Sequence, residues 1–138
     1  MESEGSAQGD PATITGCHHV AVCVRDIDEA RRFYGGVLSL TELERPREIA
    51  SKFRSAWYSI GPSELHVVEN PEFQPLDSPL APHIAVAASD FRALTAQIAD
   101  RGGVFAFGPG SGLDGIERAI IKDPTGNILE IIAAPLRS

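Results

Sequence analysis

Cysteine is scarce in this chain: only Cys17 and Cys23 occur among its 138 residues. Six positions apart on a strand-like run, they would stand about 20 Å from one another, and a disulfide needs Cα atoms within roughly 7 Å. A disulfide-stapled fold is excluded, and both are expected to be free thiols. Basic residues are also few, 12 Lys and Arg against 19 Asp and Glu for a formal net charge of −7, and none form a block. That leaves no footprint for a phosphate backbone, so nucleic acid is not expected as a partner. No apolar run approaches the roughly 20 residues of a membrane helix, so no membrane association is expected either. The opening "MESEGSAQGDPAT" has neither the basic patch nor the apolar stretch of a secretory signal. Residues 1–15 read as a polar disordered tail, and the expected location is the cytoplasm.

What remains is an ordinary globular composition, 43% hydrophobic and 22% charged, in a length that suits one domain. Within it the chain repeats itself. Setting His19 on His83, an offset of 64, lays "HVAVCVRDI" over "HIAVAASDF", and each reads as an apolar strand running into an Asp. Asp26 and Asp90 suit helix N-caps, and Glu29 stands at the capping-box position behind Asp26. Ile27, Ala30, Phe33, Tyr34, Val37 and Leu38 then fall at helical spacing, as do Phe91, Leu94, Ile98 and Ala99. The same offset sets "LHVV" at 65–68 over "LEII" at 129–132, and Arg54 over Arg118.

Between helix and last strand each copy has room for two more strands. They are roughly "LTELERP" and "SAWYSI" in the first copy, "VFAFG" and "GIERAIIK" in the second. The module is βαβββ, twice, over about residues 16–70 and 80–135 of a single α+β domain spanning 16–135. "DPTG" at 123–126 has the residue preferences of a type I turn, and "GPGSG" at 108–112 reads as a mobile connection. Gly110, Gly112 and Gly115 match a dinucleotide-binding spacing, but a β-like segment follows them where that motif requires a helix.

Four side chains occupy matching points of the two copies: His19 and His83 on the first strands, His66 and Glu130 on the last. Imidazole and carboxylate are what Zn²⁺, Fe²⁺, Mn²⁺, Co²⁺ or Ni²⁺ accept, and a two-His, one-carboxylate face with open positions is a platform for chemistry. Alternation groups His19 with Cys17, Ala21 and Cys23 and turns His18 and Val20 the other way, leaving His18 a bystander. A structural reading competes. A lone His on an apolar strand is more often a hydrogen-bonded core residue, and the carboxylate of Glu130 in "NILEIIA" needs a partner of some kind. Arg118, Lys122 or a charged His would meet it as an ion pair; spacing leaves ion pair and metal both open.

"HHVAVCVRDIDEARRFYGGVLSL" and "KDPTGNILEI" resemble the opening and closing signatures of the vicinal oxygen chelate superfamily, which includes glyoxalase I, methylmalonyl-CoA epimerase, fosfomycin-resistance transferases, extradiol dioxygenases and bleomycin-resistance proteins. The resemblance covers about residues 16–134. It implies that the modules build an open, cup-shaped mixed β-sheet barrel with flanking helices, with one divalent ion (Zn, Ni, Mn, Co or Fe) at its bottom. His19, His83 and Glu130 stand where the family motif has ligands. His66 occupies the fourth point, where bacterial-type glyoxalases carry Glu and the epimerases Gln, so the set has one carboxylate instead of two.

The implied activity is that of a metal-dependent lyase or isomerase of the glyoxalase type on a small oxygenated metabolite, with Glu130 doubling as general base where it detaches from the ion or is weakly bound. Alternatives are an extradiol-type dioxygenase, a fosfomycin-type thiol transferase and, in another class, a metal-free drug-binding resistance protein. Family members usually pair as homodimers, so the resemblance implies a homodimer here. Trp57 is the repeat mate of Ile121, and a two-residue loop at Pro124 and Thr125 would pair Ile121 with Ile128 on the face of Glu130. By symmetry Trp57 would then line the cup beside His66 as a substrate contact; plain core packing is the competing reading, and the commoner one for such a residue. Arg45, Arg47, Lys52 and Arg54 form a basic cluster expected at a solvated surface.

Overall fold

The computed structural model describes residues 9, 11–78 and 80–137; most of the expected tail lies outside them. The first copy runs β1 (His19–Val24), α1 (Ile27–Arg31), β2 (Glu42–Leu43), a short helix α2 (Arg47–Ala50), β3 (Ser55–Ile60) and β4 (Ser63–Glu69). The second runs β5 (His83–Ala87), α3 (Phe91–Asp100), β6 (Phe105–Ser111), β7 (Glu117–Lys122) and β8 (Ile128–Ile132). Both copies therefore have the βαβββ order that the repeat implies, with α2 added between the second and third strands of the first. Each forms a four-stranded mixed sheet, in the orders β1-β4-β3-β2 and β5-β8-β7-β6. In each the first strand pairs parallel with the last and the other pairs are antiparallel. The sheets do not close on one another as a barrel, in keeping with an open cup.

Both helices start where the Asp residues dictate. Asp26 accepts from the backbone N–H of Asp28 and Glu29, and Asp90 from that of Ala93. The first helix does not continue as α to Leu38: residues Arg32–Val37 widen into a π-helix, with the Leu38 N–H donating to Phe33 O. This keeps both Phe33 and Tyr34 buried. From the strands, Val24, Ala56, Tyr58, Leu65 and Val67 of the first copy and Ala119, Ile121, Leu129 and Ile131 of the second join Ile27, Ala30, Phe91 and Ile98 in one cluster. At about 1.5–3 kcal/mol for each large apolar side chain buried, this shared core holds the copies together. It also leaves the opposite face of each sheet free of core packing.

One seam between the copies is knotted by the β7–β8 turn. Asp123 Oδ1 accepts from the backbone N–H of Thr125, Gly126 and Asn127, and the Gly126 N–H donates to Asp123 O as the expected turn requires. Asp123 Oδ2 takes the Tyr34 hydroxyl at 2.7 Å, Thr125 Oγ1 accepts from the Arg25 N–H, and Asn127 Nδ2 donates to Cys23 O.

This knot corrects the two-residue loop. Lys122, not Ile121, pairs with Ile128, so five residues close the turn and Ile120 stands opposite Glu130. A one-residue slip reverses every side chain, and Ile121 is 1% exposed in the core. "GPGSG" is not a mobile connection either: Gly108–Ser111 belong to β6 and pair, with irregular register, against β7. Gly108 has φ +74, and a Cβ there would lie 2.5 Å from Arg118 O. Glycine lets this edge approach β7.

Candidate metal and substrate site

On the first sheet, register decides which side chains share the face away from the core. His19 pairs with Glu64, Ala21 with His66, and His66 in turn with Trp57, so one alternation aligns all five. The Trp57 and His66 rings stack at 3.8 Å between centroids and 1° between planes, and His66 stacks on His19 at 4.1 Å and 13°. His66 is thereby sandwiched, with its side chain 10% exposed. Its Nε2 lies 2.9 Å from Glu64 Oε1. That bond holds the Glu64 carboxyl below its usual range, against the opposing effect of partial desolvation. Trp57 thus stands beside His66 as expected, although its counterpart in space is Ile120 and not Ile121.

On the second sheet Ala85 pairs with Glu130, and Glu130 faces Ile120. His83 Nε2 lies 3.3 Å from Glu130 Oε1. Glu130 Oε2 accepts from Arg118 Nε at 2.7 Å, so the carboxylate has the ion-pair partner that its position demands. Arg118 is gripped from behind by Asp114, Nη1 to Oδ1 at 2.6 Å and Nη2 to Oδ2 at 2.9 Å. The hydrogen bonds that Arg118 donates hold the Asp114 carboxyl far below the ordinary Asp range, and the same bonds, to Asp114 and Glu130, push the guanidinium upward.

Within the chain, then, His19 meets His66 and His83 meets Glu130. Among the described residues no group of three or more His, Cys, Asp or Glu side chains is placed to hold a metal ion. The stack itself matters here. An ion bound by an imidazole lies in the plane of that ring, about 2.1 Å from the nitrogen. Two nearly parallel rings 4.1 Å apart do not share such a point, so joint ligation requires one of them to turn. The donor types suit a divalent ion; the chain supplies them as two separate pairs. A cavity of about 350 Å³ between Leu38, Leu65, Ile84, Val86, Ile98 and Ile131 lies on the core side and is lined by none of these four side chains.

Three neighbours of the site were not assigned to it by the sequence reading. Glu64 is two residues before His66, and alternation could have found it. Asp114 sits in a loop and gave no such signal. His18, expected to stand aside, has Nδ1 2.9 Å from His19 Nδ1; it precedes β1, where alternation sets no direction. The basic cluster stays at the surface: Arg45 donates to Phe53 O and Ser55 Oγ, and Arg54 pairs with Glu69 and Asp28. Cys17 and Cys23 are free.

Comparison with known proteins places this geometry. A curated relative from Arabidopsis thaliana, glyoxylase I 4, is 27% identical over 133 residues, covering 89% of this chain and 73% of its own. The fold matches that of a glyoxalase family protein from Bacillus anthracis, with a TM-score of 0.74 at 23% identity over 91% of this chain and all of that one. It also matches lactoylglutathione lyase from Agrobacterium tumefaciens, with a TM-score of 0.67 at 16% identity over 89% and 96% of the two chains. The genomically encoded fosfomycin resistance protein of Listeria monocytogenes gives 0.67 at 16% over 91% and 96%. The family model for the glyoxalase/bleomycin resistance protein/dioxygenase superfamily matches residues 16–131. With that match spanning both modules, the chain belongs to the glyoxalase/bleomycin resistance protein/dioxygenase superfamily.

Proposed function

We propose that this chain is a divalent-metal-dependent enzyme of the glyoxalase type, a lyase or isomerase of a small oxygenated metabolite, working as a homodimer. His19 and His66 of one protomer would meet His83 and Glu130 of its partner around one ion. The observation that carries this reading is the placement of two ligand-type pairs on the non-core faces of two sheets, each incomplete alone. Small residues beside the pairs, Ala21 and Ala85, leave room for a substrate. Bound there, Zn, Ni, Mn, Co or Fe would supply Lewis acidity to an oxygen next to the reacting carbon. Glu130 is the proton acceptor in this reading only when Oε1, the oxygen that faces His83, is off the ion, since Arg118 holds the other. Trp57 offers a flat apolar surface for the substrate next to His66.

A metal-free sequestering protein is the second reading, favoured by the Arg118–Glu130 pair, which already gives the carboxylate a charged partner. Metal content separates the two. Protein purified without added metal is expected to carry a divalent ion, and His19→Ala, His83→Ala and Glu130→Ala to lose it. Unfolding and refolding His19→Ala with His83→Ala as a mixture should restore about a quarter of the sites, since half of randomly paired dimers hold one intact site of two. No metal in the wild type favours sequestration. Metal in the wild type without recovery in the mixture refutes a site shared between protomers.

A further inference from the structure

We propose that Arg118, locked by Asp114, is a positioning residue that makes Glu130 a one-oxygen ligand. This rests on the metal reading above and concerns what the chain itself does to its carboxylate. Three observations meet here. Arg118 Nε takes Glu130 Oε2 at 2.7 Å and leaves Oε1 as the oxygen facing His83. Both terminal nitrogens of Arg118 are spent on the two oxygens of Asp114, so the fork has one orientation and not a range of rotamers. The loop is shaped to admit it: a Cβ on Gly112 would stand 2.5 Å from Arg118 Nη1.

Charge decides why the clamp has two acidic ends. A lone guanidinium touching a metal ligand would repel the ion that the ligand is there to hold. Asp114 cancels that charge, so Arg118 can orient Glu130 without opposing a cation. Asp114 itself is not free to share Glu130's role: its two oxygens are both occupied by Arg118 and one also accepts from the Ile116 N–H. Glu130, with its side chain 14% exposed, is thus held at a fixed angle before any ion arrives, which is how outer partners of metal ligands raise affinity and set geometry.

The test is Co²⁺ titration of the full chain, read by visible absorption and affinity, with circular dichroism to verify folding. Asp114→Asn leaves the Arg118 charge uncompensated and its grip loosened, and should weaken Co²⁺ binding about 10- to 100-fold. Gly112→Ala, which pushes the fork aside without changing charge, should weaken it in the same direction. Arg118→Met frees Oε2, so the Co²⁺ band should change shape as Glu130 lends both oxygens. Lys122→Met, on the same face of β7, should change neither affinity nor band. Folded Asp114→Asn, Gly112→Ala and Arg118→Met proteins with wild-type affinity and band overturn the positioning role while leaving the metal reading intact. A wild type that binds no Co²⁺ overturns the metal reading and this inference with it.

Discussion

The knot at Asp123 ties the strand carrying His19 to the strand carrying Glu130, and breaking it should cost more than an average core substitution. Asp123 is 4% exposed and Tyr34 1%. Five donors converge on that one carboxylate: three backbone N–H groups, the Tyr34 hydroxyl and Asn127 Nδ2. A hydrogen bond to a charged group contributes about 1.5–3 kcal/mol, and orphaned buried donors add their own desolvation cost. The five are not independent, because three belong to one turn that can find water once it opens. Asp123→Ala should therefore destabilise by about 4 kcal/mol, within the range for breaking a buried polar network. Tyr34→Phe removes one bond, leaves Oδ2 with Asn127, and should cost about 1.5 kcal/mol.

Urea unfolding at fixed protein concentration measures both. With a slope of about 1.5 kcal/mol/M, the midpoint should fall by about 1 M for Tyr34→Phe and about 2.5 M for Asp123→Ala. Burial first, and then the Asp123 charge, push the Tyr34 pKa far above its ordinary 10.0. A group whose pKa is raised on folding gives stability that is complete below the unfolded value and lost as pH rises through it. Wild type should accordingly lose stability as pH climbs past about 10, and Tyr34→Phe should flatten that alkaline limb. A midpoint unchanged in Asp123→Ala would refute the claim that this turn docks the two modules.

Other outcomes follow from single contacts. Trp57 is the chain's one tryptophan and stacks on His66, so if the proposed metal site exists, an ion that turns His66 should shift its emission; saturation without a change would mean that His66 stays in place. Trp57→Leu releases a stack worth about 1 kcal/mol, and should tighten metal binding about fivefold by freeing His66; equal or weaker binding in a chelator competition would contradict this. Tyr58 is fully buried with no partner for its hydroxyl, the one such side-chain atom among the described residues, and burial pushes its pKa up to about 12. Tyr58→Phe should be neutral or stabilising by up to about 1 kcal/mol in the same urea assay, and a loss of stability would reveal a partner for that oxygen. The Asp114 pKa is depressed by Arg118, so its contribution is present at neutral pH and lost on acidification below the ordinary Asp range; Asp114→Asn should flatten the acid limb of a stability profile.

The repeat was legible because a duplicated module keeps its apolar alternation and its capping Asp, and both are local. "HVAVCV" and "HIAVA" could be read as strands, and Asp26 and Asp90 as caps, from residues within a few positions of one another. The face of Trp57 came out as expected although the pairing invoked for it was off by one. The Asp123 turn gathers five residues where a symmetric copy of the Gly61–Pro62 turn would have used two, and that choice rests on the buried Tyr34 hydroxyl, 89 positions away. Glycines at 108–112 read as flexible from composition, yet Gly108 and Gly110 belong to an edge strand, and Gly108 lets that strand approach β7 where a Cβ would meet Arg118 O.

His19, His66, His83 and Glu130 were picked out by their types and their matching places in two copies, since an apolar strand tolerates such groups only where something meets them. Sequence also set the order of strands and helices, through periodicity and caps that act over one or two turns of chain. Which donors share a point was decided by packing alone: the common core fixes both sheets, and register hands Glu130 to Arg118 and His83 while stacking His66 between Trp57 and His19. Those contacts join residues from separate strands, and their geometry depends on how two modules press together, which no local stretch of chain encodes.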